Sequence, residues 1–283
     1  MANANSAPLK RIWLCADDYG ISPGVNSAIL DLIARGRLNA TSVMMVTPAI
    51  GREAAARLKE TASESPRCAI GLHVTLTAPF RPLTMHFRPL RDELFLPFGK
   101  LLRAGMLRRL DPEIIRAEVS MQLAAFHDLF GRAPDFVDGH QHVQLYPRVR
   151  DGFLAAVKDK APQAWVRQAK RNLSLGQRLG SAKALFLDQL STTFRRRAES
   201  TGLHYNPAFA GAYDHTRTPD FGALMAGFLD GLPEGGLVMC HPGFVDDVLA
   251  GLDPLTSVRE VEHAYLASDA FGALLAANRL TLA

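Results

Sequence analysis

The chain has 283 residues, 48% of them hydrophobic, a formal charge of +4 and three cysteines. That length and apolar content fit one domain spanning residues 1–283 with a large core, residues 1–9 being expected to be disordered. An odd number of cysteines without a CxxC pair excludes a disulfide framework or a thiolate cluster. Cys15, Cys68 and Cys240 are therefore expected to be reduced and buried. The basic clusters Arg108-Arg109 and Arg195-Arg196-Arg197 lack interleaved aromatics, which argues against nucleic acid as a partner. No run of about 18 apolar residues and no apolar stretch after Met1 is seen, so a cytoplasmic location is the expectation.

Ile12 to Ala16 is a continuous apolar run, the pattern of a strand covered on both faces of a parallel sheet. Ser22-Pro23 then supplies a helix cap and a first-turn proline, and Val25, Ile29, Leu32 and Ile33 space an apolar stripe along that helix. The pattern predicts strands over 41–47 and 69–76 with a helix around 52–59 between them. Asp111-Pro112 opens a long amphipathic helix in which Ile115, Val119, Leu123, Phe126 and Phe130 step by three or four, and Gly131 ends it. A short strand near 135–138, a helix after Pro147, and strands near 165–168 and 237–240 follow. Ser257-Val258-Arg259-Glu260 reads as a capping box for the last helix.

Alternation of strands and helices over this length predicts a parallel sheet in a distorted or incomplete (β/α) barrel, with a doubly wound sheet as runner-up. Segments 78–110 and 172–219 lack such a pattern and are expected to shape a substrate cleft. Within the first, Phe95 to Leu110 carries large apolar residues, four bases and no acid. It reads first as a core-packed insertion with a solvated basic edge, and second as a peripheral contact with an anionic membrane.

The polar residues that punctuate this pattern fall at strand ends: Asp17 and Asp18, His73, His140 and His142, and His241. A barrel gathers such residues at one rim, where a carboxylate and two imidazoles can hold a divalent cation and leave positions for water and substrate. Extended neighbours point to opposite sides, so of Asp17 and Asp18 one is expected to bind the ion and the other to act as a base. Taken alone, each motif also has a plainer reading: a strand-to-helix turn for Asp17 to Gly20, a core histidine for His73, a rim histidine for His241.

Together these segments resemble a known family. Ala16-Asp17-Asp18-Tyr19-Gly20-Ile21-Ser22 with Asn26, Gly71-Leu72-His73-Val74-Thr75-Leu76-Thr77, Asp138-Gly139-His140-Gln141-His142-Val143 with Pro147, and Cys240-His241-Pro242-Gly243-Phe244 are similar to the motifs of the YdjC-like (ChbG/HpnK) carbohydrate deacetylases, in the same order. The resemblance implies a single catalytic domain of the NodB-like polysaccharide deacetylase type and one divalent metal ion, Mg or Zn first, with Mn, Co and Fe as alternatives. It also implies hydrolysis of the acetyl group from an N-acetylated sugar, whether an amino sugar, an oligosaccharide or a lipid-linked glycan.

On matching positions the metal ligands would be Asp18, His73 and His140, the base Asp17 and the acid His241. Arg167 would hold substrate or Asp17, and His142 and Tyr19 would complete the substrate-binding set. A homodimer is a further implication. Tyr19 stands where the family usually has Phe, and Gln144 where a histidine is common, so the sugar is not assumed to be a chitin disaccharide. The rivals are a non-haem iron oxygenase, another metal-dependent amide hydrolase, and a non-catalytic carbohydrate- or metal-binding protein of the same fold.

Overall fold

The computed structural model describes residues 8–64, 68–170, 182–214 and 220–282. The expected disorder at the N-terminus falls mostly on residues 1–7, outside the described residues, as do 172–181 and 215–219 of the second unpatterned segment. In chain order the first half comprises β1 (Lys10–Arg11), β2 (Trp13–Tyr19), α1 (Pro23–Ala34), β3 (Ala40–Val43), α2 (Arg52–Glu64), β4 (Ala69–Val74), β5 (Leu90–Arg91), β6 (Leu94–Phe95), α3 (Phe98–Met106) and α4 (Pro112–Phe130). The second comprises β7 (Phe136–Gly139), α5 (Val149–Lys160), β8 (Trp165–Val166), α6 (Ala182–Thr201), β9 (Phe209–Ala210), α7 (Phe221–Leu229), β10 (Leu237–Cys240), α8 (Asp247–Leu252), α9 (Ser257–Ala267), α10 (Asp269–Ala277) and β11 (Leu280–Thr281).

The central sheet is parallel and runs β8-β7-β4-β3-β2-β10-β9. Read as a ring, this is simple chain order, whereas a doubly wound sheet reverses direction at a switch point. The ring is joined at its seam by one parallel bridge between Val166 and Tyr205. Asn206 reinforces that seam, accepting from Gln168 N at 2.9 Å and donating to the Ala208 carbonyl at 2.8 Å. The fold is thus the expected distorted α/β barrel, and segment 172–219, expected only to shape a cleft, supplies α6 and β9 to the barrel itself.

Local chemistry explains most elements. Ser22 caps α1 by accepting from Val25 N at 3.2 Å, with Pro23 in the first turn. Asp111 caps α4 by accepting from Glu113 N at 2.9 Å, and Gly131 ends it in the left-handed region at φ 73°. All five apolar residues predicted for the α4 stripe are buried. The capping box proposed for the last helix does not form. Thr256, not Ser257, precedes α9 and makes no side-chain cap, while the Glu260 carboxylate accepts from Val245 N at 3.3 Å instead.

The segment from Phe95 to Leu110 is a core-packed insertion. Phe95, Leu101 and Leu110 are buried, and Lys100, Arg103, Arg108 and Arg109 form an exposed basic edge. No helix among the described residues is long and apolar enough to cross a membrane.

Candidate active site

The two aspartates at the end of β2 owe their placement to a bulge. Between Ala16 and Tyr19 the register against β3 slips by one residue, and Asp18 adopts φ 70°. A left-handed residue is tolerated by Asp better than by most side chains, and the slip frees both carboxylates from strict alternation. Both are fully buried. Asp18 Oδ1 lies 3.3 Å from His73 Nε2 and 3.1 Å from His140 Nδ1, so the three predicted ligands do converge. Their donor atoms all lie within 4.8 Å of one another.

His73 is oriented by strand register. It lies opposite Asp138 in the β4–β7 pairing, and its Nδ1–H donates to Asp138 Oδ1 at 2.6 Å. Ser42 Oγ is 3.0 Å from the same nitrogen and donates to Asp17 Oδ1 at 3.3 Å. Nε2 is thereby turned towards Asp18, the arrangement in which a carboxylate fixes the tautomer of a metal-binding imidazole. Burial works against a charged ring here, but Asp138 and Asp17 outweigh it and push His73 up to about 10.

His140 follows β7 in a short 3₁₀ turn in which Gln141 and His142 take φ 55° and 57°. The Phe80 ring stands edge-on to it with centroids 6.1 Å apart, so the loop after β4 walls this side.

Asp17 faces the other way. Arg167, just beyond β8 and wholly buried, grips it with both Nη atoms at 2.6 Å. Burial would raise Asp17, but this guanidinium, then His73, hold it far below the usual carboxylate range. Arg167 thus takes the second of its two expected roles, holding Asp17. Cys15, Asp17 and Asp138 also converge, yet Arg167 Nη1 occupies that space, 2.6 Å from Asp17 and 3.1 Å from Asp138. His241 Nε2 lies 4.0 Å from Asp17 Oδ2, which puts the two catalytic candidates side by side. Burial, then Arg167, push His142 down to about 3, so it presents a neutral imidazole, edge-on to Phe209.

Tyr19 lies apart from this cluster: its ring is fully buried and its hydroxyl donates to the Ala54 carbonyl of α2 at 2.7 Å, on the helix layer. The cysteines are free and buried as expected; burial pushes Cys68 up to about 12 and Cys15 and Cys240 well above the usual thiol range, so none offers a thiolate.

The family model for YdjC-like protein matches residues 11–277. The chain belongs to the YdjC-like family. A chitooligosaccharide deacetylase of Citrobacter koseri is 27% identical to this YdjC-like chain, covering 83% of it and 82% of the relative. One of Yersinia pestis is 28% identical, covering 85% and 84%. A crystal structure from Enterococcus faecalis V583, described as a cellobiose-phosphate cleavage protein, aligns with a TM-score of 0.74 and 22% identity over 97% of both chains, a likeness of fold.

Several residues of this YdjC-like site escaped the sequence reading. Asp138 opens a recognised motif but was given no role of its own, and Ser42 sits in a predicted strand that drew no functional reading. Arg259 and Glu262, both on α9 and both fully buried, gave no signal beyond the capping pattern that failed. Glu262 accepts from His241 N at 2.5 Å and from the Tyr213 hydroxyl at 2.6 Å. Burial outweighs both bonds and pushes Glu262 from 4.5 up to about 7.

A raised folded-state pKa means that this group's contribution to stability is full below pH 4.5 and is lost as pH rises to about 7. Glu262→Gln is expected to remove that loss. Relative to wild type, the metal-free variant should gain up to about 3 kcal/mol between pH 5 and pH 8, since one pKa unit is about 1.4 kcal/mol. Denaturant unfolding at the two pH values reads the difference, and parallel pH profiles would refute it.

Proposed function

We propose that this YdjC-like protein is a carbohydrate N-deacetylase that removes the acetyl group from an N-acetylated sugar with the help of one divalent cation. The observation that carries the reading is the pairing of Asp17 with His241, 4.0 Å apart, beside the converged donors Asp18, His73 and His140. A binding protein would need the donors but not that pair. The relatives named chitooligosaccharide deacetylase support the reaction class.

The donor set fits a cation. Buried Asp17, Asp18 and Asp138 outnumber the buried Arg167 and Arg259 that face them, and the difference is made up by the His73 imidazolium, whose proton a cation would replace. Asp18, His73 and His140 would hold the ion, and mixed carboxylate and imidazole donors suit Zn, Mn, Co or Fe, with Mg also in the proposal. When bound, it would acidify a water and polarise the acetamide carbonyl.

The chain's own residues supply the rest. Asp17 Oδ2 takes a proton from the attacking water, whose oxygen bonds to the carbonyl carbon. His241, protonated, gives a proton to the sugar nitrogen as the C–N bond breaks, since an amine anion is a poor leaving group. The proton on Asp17 returns to His241, and acetic acid and the free amine leave, the acid giving its proton to solvent to become acetate. Arg167 makes Asp17 a weak holder of that proton, which favours handing it on. His142, neutral and beside Phe209, is proposed to bind the sugar. A lipid-linked substrate beside the exposed basic edge, a homodimer and a cytoplasmic location belong to the same proposal.

Acetate release from a panel of N-acetylated mono- and oligosaccharides, before and after stripping and restoring the cation, tests this reading. Release that depends on the cation is expected; release that ignores it would refute the metal role, and none from any sugar would refute the substrate class. Because His73 sits at about 10 without the ion, loading at pH 7.5 should expel about one proton per cation. Calorimetry in buffers of different ionisation enthalpy counts that proton, and a value of zero would refute the role of His73.

A further inference from the structure

Arg259 reaches Asp18 from α9, 241 residues away in sequence, and is wholly buried on the way. Its Nη2 donates to Asp18 Oδ2 at 2.7 Å and to Asp253 Oδ2 at 2.8 Å, and its Nε donates to the Leu255 carbonyl at 2.8 Å. The passage is cut to fit. A Cβ on Gly243, two residues after His241, would stand 3.2 Å from Arg259 Cδ and 2.9 Å from Val25 Cγ2. The two oxygens of Asp18 therefore have different neighbours. Oδ1 faces His73 and His140 at 3.3 and 3.1 Å, whereas Oδ2 faces Arg259.

We propose that Arg259 is a positioning residue that confines Asp18 to one-oxygen ligation of the cation by occupying its second oxygen. The inference rests on the reading of Asp18, His73 and His140 as ligands. A carboxylate that binds through both oxygens uses an extra coordination position, and one that shares its charge with a guanidinium donates less to the ion. With Oδ2 engaged by Arg259, a bound cation would keep a further position for water and carbonyl and more of its acidity. The fork geometry and permanent charge of arginine suit this task, because Nε anchors the group while Nη2 meets the carboxylates.

The experiment compares wild type, Arg259→Met and Arg259→Lys after loading with Co²⁺, whose visible spectrum reports coordination. Arg259→Met is expected to bind Co²⁺ at least as tightly as wild type, since a neighbouring positive charge is gone and an oxygen is freed. Its Co²⁺ spectrum should shift, and kcat for acetate release should fall roughly 10- to 100-fold with KM unchanged. Arg259→Lys keeps the charge and is expected to restore the spectrum and part of kcat. An unshifted spectrum in Arg259→Met, or Co²⁺ affinity weakened tenfold or more, would overturn the proposal, the latter showing that Arg259 only builds the site. If Arg259→Met does not fold, the lysine variant decides: a wild-type spectrum with partial kcat supports the proposal, and Co²⁺ binding weakened tenfold or more overturns it. His140→Ala serves as the control; wild-type Co²⁺ uptake in that variant would mean that the ligand assignment had failed instead.

Discussion

Replacing His140 by alanine is expected to abolish cation binding and acetate release together, with activity falling by about 10³-fold or more, equivalent to roughly 4 kcal/mol of barrier. His140 is 8% exposed and faces Asp18 through Nδ1, so loss of its imidazole removes a donor without opening the deep core. His73→Ala should have the same effect on cation and turnover but a heavier structural cost. His73 is 1% exposed, and its removal would leave Asp138 without its 2.6 Å partner, with Arg167 at 3.1 Å as its remaining counter-charge. A buried carboxylate that loses a hydrogen-bond partner costs stability, so this variant should also melt earlier. Calorimetric titration with Zn²⁺ or Co²⁺ beside an acetate assay checks both, and retention of cation with loss of activity would mean that these histidines are not ligands.

Asp17→Asn is expected to do the opposite on binding and the same on turnover. The cation should still bind, because Asp18, His73 and His140 are untouched, while acetate release drops by about 10²- to 10⁴-fold as the proton acceptor disappears. The substitution also breaks a matched pair. Arg167 donates to both Asp17 oxygens at 2.6 Å, and an amide can offer an oxygen to only one Nη, so a buried guanidinium loses part of its compensation. A lower melting temperature should therefore accompany intact cation uptake. Near wild-type turnover in Asp17→Asn would eliminate the base assignment, and loss of the cation would place Asp17 among the ligands.

Much of this arrangement was legible in the sequence because barrels convert linear order into a rim. The apolar run before Asp17, the residues flanking His73 and the Asp138-Gly139-His140 turn each marked a strand end, and parallel register did the rest. The adjacency of Asp17 and Asp18 was the hard point. Simple alternation predicted opposite faces, and the separation actually comes from a bulge with Asp18 at φ 70°, which no pattern of residue types announces. Arg259 and Glu262 were invisible for a different reason. A helix periodicity reports which face is buried, not that the buried face carries an ion pair into a neighbouring strand's active end. Tyr19 follows Asp18 in sequence, yet its side chain turns to the helix layer, which sequence adjacency does not disclose.

The order of strands around the ring has a consequence for how the molecule is made. β2 pairs with β10 across Trp13↔Leu237 to Ala16↔Cys240, so an apolar strand formed from the first residues waits for a partner more than two hundred residues downstream. During synthesis the proposed cation donors emerge first, on β2, β4 and the turn after β7, whereas His241, the proposed acid, and Arg259 follow on β10's end and α9. Until β10 has left the ribosome, β2 presents an open, sticky edge, and a product truncated before β10 would carry the proposed donors and base without the proposed acid.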